Sequence, residues 1–425
     1  MYRAECGRWY QHFSVIVRTG PVTSNKVKTP PISVAVAVSL ILLWVLPATV
    51  LAQFFPGGSW RVTAPPPTGA NRVGTLSLYL VDSVRNDPYQ AGRQRELMVR
   101  FWYPAITGRA CIPADYTSTQ IWAYTSRLSG FPLPAVRTNS CQGAAISEGS
   151  HPVILFTHGY TGFLTDATFL FEELASHGYV VASIAHTSET TAVEFPGGRL
   201  VTSVFGSYLD GESLRMDYQS LRRAHAVRMA DLRFVIDQLS ALNGREGSPF
   251  VGSLDLSRIA VMGHSLGGEV AIAMLESHPR MRAAVSLDGV VSAELAPGTS
   301  KPVLLLAASR GHWNPEECKL WAALRGPRTA INFRGADHFT LSDAVWLLPD
   351  VPELGAPVGR MGRERTLEAL RNYILAFFDT HLGGKPEPGL LDGKTASSRF
   401  PDASVIGPTQ ELCPLNFASS TGAIR

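Results

Sequence analysis

Gly263-His264-Ser265-Leu266-Gly267 decides how this chain folds, because it fits the G-x-S-x-G pattern of a nucleophile elbow, a sharp turn from a strand into a helix. Both flanks agree. Arg258 to Met262 reads as a strand, and Gly268-Glu269-Val270-Ala271-Ile272-Ala273-Met274-Leu275 opens an apolar helix. Glycines flank Ser265 because such a turn strains the serine backbone and brings main chain too close for side chains.

A serine hydroxyl is a weak nucleophile near neutral pH, so the elbow calls for a histidine base and an acid that orients it, in the chain order Ser, Asp or Glu, His. Downstream, Arg282-Ala283-Ala284-Val285-Ser286-Leu287 is an apolar strand ending in Asp288-Gly289, which puts Asp288 at the carboxyl edge of a parallel sheet. The next strand, Pro302 to Ala308, ends without an acid, which favours Asp288; Glu316 and Glu317 are the alternatives. A further strand, Thr329 to Phe333, leads to His338, the expected base. Of the eleven histidines, His312 is its competitor and His381 falls at the end of a helix. Asp337, adjacent to His338, reads as a loop former. The oxyanion of acyl transfer needs backbone donors. Leu266, next after the serine, supplies one, and Tyr160, in the loop His158-Gly159-Tyr160-Thr161-Gly162 after the strand Pro152 to Thr157, supplies the second.

The stretches His158-Gly159-Tyr160, Glu173 to Ala182, Gly263 to Gly268, Leu287-Asp288 and His338-Phe339 together resemble the platelet-activating factor acetylhydrolase family, plasma type or isoform II. The similarity runs from about Val73 to Leu382. The resemblance implies an α/β-hydrolase fold, a mostly parallel central sheet with helices on both faces. It also implies a secreted serine esterase acting on short or truncated acyl esters, such as the sn-2 acyl group of a phospholipid, without a cofactor. Carried over, Ser265 is nucleophile, Asp288 acid, His338 base, and Tyr160 with Leu266 the oxyanion amides. The chain departs from the best-known members at Leu266, where they carry an aromatic, and it has no clear match to their lipoprotein-docking helices. Chlorophyllases and polyester-cleaving esterases share parts of the pattern. A noncatalytic hydrolase-fold binding protein is the alternative of another class.

The 425 residues, 45% hydrophobic and 17% charged, suffice for one large catalytic domain and are too apolar for disorder. Residues 1–52 read as a leader whose apolar run, about 32–46, follows Lys26 and Lys28 and precedes Val50-Leu51-Ala52, the pattern of a secretory signal peptide cleaved after Ala52; an uncleaved membrane anchor is the alternative. The leader holds a net +4 of the chain's +3, so the mature protein stands at −1, which offers nothing to nucleic acid. The expected partner is a small-molecule or lipid ester, with transient contact to a lipid surface. Cys111, Cys141, Cys318 and Cys413 remain after cleavage, an even number in an exported chain, and the sequence-near pairing joins Cys111 to Cys141 and Cys318 to Cys413. No cysteine has metal-ligand spacing.

Along the mature chain, residues 53–72 read as a Pro/Gly-rich arm and 73–383 as the catalytic domain. A hairpin of Thr75–Val81 with Glu96–Tyr103 opens that domain, and helices are expected over Thr165–Ser176, Leu214–Leu242 and Glu364–Leu382. Insertions at 107–150 and 186–213, rich in aromatics, are expected to shape the substrate pocket. Residues 384–425 read as an irregular tail.

Overall fold

The computed structural model describes residues 61–407 except 109, 131–132, 210–213, 215–216, 290–297, 309–312, 314, 349–358, 387–388 and 393–398. The leader, His312 and Cys413 lie outside the described residues, and with Cys413 the second expected cysteine pairing.

Alternating half-buried residues make β2 (Arg72–Asn86), after the short β1 (Arg61–Thr63), and β2 folds back antiparallel on β3 (Gln94–Ala105), the expected opening hairpin. The segment 107–150 is not a bare loop. It carries β4 (Pro113–Asp115), α1 (Thr119–Ser129) and β5 (Ala135–Gln142), and β5 extends the sheet beyond β2. A disulfide joins Cys111 to Cys141 across this segment.

From there strands and helices alternate. β6 (His151–Thr157), α2 (Thr168–Ser176) and β7 (Val180–Ala185) are followed by a small hairpin, β8 (Ala192–Phe195) with β9 (Arg199–Thr202). The long α3 (Tyr218–Gly244) starts where the Asp217 carboxylate accepts from Ser220 N at 3.0 Å, a side-chain N-cap. β10 (Leu254–His264), α4 (Leu266–Ser277), β11 (Met281–Leu287), β12 (Val303–Ala308), α5 (Pro315–Ala323) and β13 (Arg328–Phe333) complete the alternation. α6 (Arg363–Phe378) closes it, and its continuation ends at Gly384, which adopts φ 66° as a left-handed cap. Residues 403–406, read from sequence as tail, form β14, an antiparallel edge strand on β13.

The strand order is β1-β5-β2-β3-β7-β6-β10-β11-β12-β13-β14, parallel from β7 through β13. Continuous apolar runs fit strands covered on both faces. Alternate residues divide between two cores. Ile154, Phe156 and Met262 pack with α2 and α6, whereas Val153, Leu155 and Val261 pack with α3, α4 and α5. Each such side chain contributes roughly 1.5–3 kcal/mol on burial, so the sheet is a stiff platform for groups at its carboxyl edge. Among the described residues no helix is long and apolar enough to cross a membrane.

Candidate active site

Ser265 occupies the turn between β10 and α4 with φ 54° and ψ −122°. The close approach that forces it there is visible in the neighbouring glycines. A Cβ on Gly263 would run into the Gly267 carbonyl, and one on Gly267 into the Thr157 carbonyl of β6. The turn is tied to the next strand by Ser265 N donating to Leu287 O at 2.9 Å. Leu266 is the first residue of α4, where a helix leaves its amides without intrahelical acceptors and presents the positive end of its dipole.

Asp288 directly follows β11 and has φ 46°. Its Oδ1 accepts from Ala308 N at 2.9 Å and its Oδ2 lies 2.6 Å from His338 Nδ1. His338 begins a short 3-10 turn, His338–Leu341, capped by the Asp337 carboxylate, which accepts from His338 N at 2.6 Å. This is the loop-forming part expected of Asp337. The His338 ring lies against His264, the residue before the serine, with centroids 4.7 Å apart, and His264 Nε2 donates to the His338 carbonyl at 3.0 Å. Burial drives the His264 pKa down to about 3, so it makes this contact as a neutral ring. Glu316 is at the surface, paired with Lys319 at 2.6 Å, and Glu317 is buried in α5. His381, in the turn that continues α6, packs against Phe377 with ring centroids 4.8 Å apart.

Tyr160 sits in the loop after β6, which overlies the elbow: a Cβ on Gly159 would stand 3.5 Å from Ser265 Cβ. The Tyr160 ring packs on Phe205 at 5.1 Å and shares a cluster with Leu266. Tyr208 meets Phe339 edge-on at 5.9 Å. Phe205 and Tyr208 from the 186–213 segment therefore wall the elbow. Phe195, from the same segment, faces Tyr79 at 5.6 Å, and in the 107–150 segment Tyr116 packs on Trp122 and Trp346. The non-glycine residues with positive φ among those described are Thr161, Ser188, Ser265 and Asp288, all in loops of this region, where strain accompanies function.

A buried polar network beneath the site was not legible from motifs. Arg228 and Asp231 on α3, Arg95 on β3, and His158, His186 and Glu189 are all fully buried. Asp231 binds Arg95 Nη2 at 2.6 Å and His186 Nδ1 at 3.0 Å. Burial alone would raise the Asp231 pKa, but the Arg95 charge and these hydrogen bonds hold it well below the usual carboxylate range. The available signal was two charges on the face of α3 that also carries Ala224, Leu232 and Val235.

A sheet of this order, with its turn-borne serine and acid–histidine pair at the carboxyl edge, defines an α/β hydrolase of the carboxylic ester hydrolase class. Comparison with known proteins agrees. Residues 87–196 match the model "Platelet-activating factor acetylhydrolase, isoform II" and residues 186–345 match "PET hydrolase-like". The chain is 22% identical over 306 residues to platelet-activating factor acetylhydrolase of Gallus gallus, covering 64% of this chain and 72% of that one. It is 28% identical over 140 residues to cutinase est2 of Thermobifida alba, 33% of this chain and 35% of the relative. A solved ferulic acid esterase from Streptomyces cinnamoneus superposes with a TM-score of 0.69 at 33% identity, covering 82% of this chain and all of that one. The chain belongs to the α/β-hydrolase esterases, similar over most of its length to that ferulic acid esterase and over part of it to the platelet-activating factor acetylhydrolases.

Proposed function

We propose that this chain is an exported serine esterase that works through an acyl-serine intermediate. Ser265 Oγ attacks the ester carbonyl while His338 Nε2 takes its proton; Asp288 holds the imidazolium, and the Leu266 and Tyr160 amides bind the oxyanion. His338 returns the proton to the leaving alcohol, and water then releases the acyl group by the reverse roles. The observation that carries this reading is the 2.6 Å contact of Asp288 Oδ2 with His338 Nδ1, made beside a serine held at φ 54°. Export is supported by the signal-like leader and by the Cys111–Cys141 disulfide, a bond of oxidising compartments.

The substrate reading is a short or truncated acyl ester, with the sn-2 acyl group of a phospholipid as one instance. A second reading is favoured by the aromatic wall of Tyr160, Phe205, Tyr208 and Phe339, and by the solved relative named a ferulic acid esterase: an aromatic acyl group lying against those rings. A fluorophosphonate probe should label the wild type and not Ser265→Ala. Absence of labelling in the folded, secreted wild type would favour a noncatalytic binding protein. An acyl series of nitrophenyl esters, run beside truncated and intact phospholipids and a hydroxycinnamate ester, separates the substrate readings. Equal rates on long and short acyl chains would overturn the short-acyl assignment.

A further inference from the structure

Behind the loop that carries Tyr160 lies a guanidinium with no exposed surface. Arg228 Nη1 donates to the His158 carbonyl, Nη2 to the Gly159 carbonyl at 3.1 Å, and Nε to Glu189 Oε2 at 2.7 Å. The Tyr89 hydroxyl donates to Glu189 Oε1 at 2.8 Å. The Gly159 carbonyl also accepts from Gly162 N at 3.0 Å and from His158 Nδ1 at 2.6 Å. Because a carbonyl oxygen only accepts, His158 carries its proton on Nδ1, and its Nε2 accepts from the Thr190 hydroxyl at 2.8 Å.

A trans peptide aims its C=O and the following N–H in opposite directions, and the described chain has no cis peptide. Drawing the Gly159 carbonyl inward therefore turns the Tyr160 N–H outward. The loop would not hold that shape by itself, since Thr161, β-branched, follows at φ 51°. A buried guanidinium is also a poor device for stability alone, as well-packed apolar groups usually serve as well or better. Two of its three contacts go to carbonyls of this one loop.

We propose that Arg228 is a positioning residue for acyl transfer: its fork fixes the 159–160 peptide so that the Tyr160 N–H faces the developing oxyanion, and Glu189 ties that fork to the 186–213 segment walling the site. The proposal rests on the esterase reading above. Lysine keeps the charge but lacks the planar fork that spans two carbonyls.

The test measures nitrophenyl acetate hydrolysis by the full chain, normalised to active sites titrated to completion with a fluorophosphonate, for Arg228→Met, Arg228→Lys and Leu239→Ala. Leu239 is a fully buried apolar residue of the same helix and supplies a destabilised control. The expected result is a kcat per titrated site lowered on the order of a hundredfold in Arg228→Met and about tenfold in Arg228→Lys, with KM within about twofold. Leu239→Ala should melt earlier yet keep its kcat per site. Wild-type kcat per site in either Arg228 variant would overturn the proposal, as would losses that only track melting temperature across all three variants. If Arg228→Met does not fold, Arg228→Lys decides. Failure of the underlying reading is visible separately, as undiminished hydrolysis by Ser265→Ala.

Discussion

At the scale of single residues the site is set by what each hydrogen bond forces on its neighbour. Asp288 receives Ala308 N on Oδ1 and His338 Nδ1 on Oδ2. An asparagine there would keep the first contact with its carbonyl and turn its NH2 toward the imidazole. Nδ1 would then have to accept, leaving the proton on Nε2, where it cannot take one from a serine. Asp288→Asn should therefore lower kcat by about 10³–10⁴ with the fold intact, measured as ester hydrolysis beside an unchanged circular dichroism spectrum; retention of more than a tenth of the activity would refute the role. These residues were readable because the elbow's glycines are a steric necessity and chain order then restricts the acid and base. Arg228 and Glu189 were not, since a charged residue in a helix or loop carries no local mark of a partner some forty to seventy residues away.

At the scale of elements, the histidine turn and helix α2 are joined by one carboxylate. Asp343 accepts from Thr168 N at 2.9 Å and Phe169 N at 3.2 Å, the first amides of α2, so it caps a helix remote in sequence. It also accepts from Tyr116 OH at 2.9 Å and Trp346 Nε1 at 2.8 Å, which pins the 107–150 segment to the chain beyond His338. Asp343→Ala leaves Phe169 N and Trp346 Nε1 without an acceptor, while Thr168 N and the Tyr116 hydroxyl keep the Thr165 carbonyl at 3.1 Å, and should cost on the order of 2–4 kcal/mol. Asp343→Asn, retaining one acceptor oxygen, should lose about half of that. Urea midpoints at constant m would register both, and an Ala variant as stable as the wild type would show that the cap is dispensable. The sequence told the existence of α2 from its apolar content but not its start, expected at Thr165 and found at Thr168, because its cap comes from elsewhere. β14 escaped for a related reason: four residues with little periodicity become a strand only because β13 offers an unpaired edge.

For the whole molecule, the cost of holding so many polar groups inside appears as pH dependence. His186 and His225 have pKa values pushed down to about 4 and His264 to about 3, chiefly by burial, and burial beside Arg228 holds His158 well below its ordinary value. An unfolded histidine takes up a proton near pH 6.5, whereas these native ones stay neutral until the solution is far more acidic. Between those limits the unfolded chain binds more protons, so stability is lost as pH falls from about 6.5 toward 4. Asp166 and Asp343, pushed up to about 7 by burial, work in the opposite sense over much of the same interval, because the native state keeps protons that the unfolded chain releases. Glu172 and Glu189, raised by burial, act in that same sense, whereas His278 and His381, lowered by burial, and Asp231, held well below the usual carboxylate range, side with the four histidines and leave acidification destabilising. His186 alone accounts for about 3 kcal/mol across its window. The melting temperature should therefore drop between pH 7 and pH 4.5. In His186→Asn that drop should be shallower, the stability gap to wild type closing by about 3 kcal/mol on going from pH 7 to pH 4. A gap that stays constant across this range would mean that His186 is charged in the native protein, paired with Asp231 as an imidazolium, and the burial argument for the network would fall.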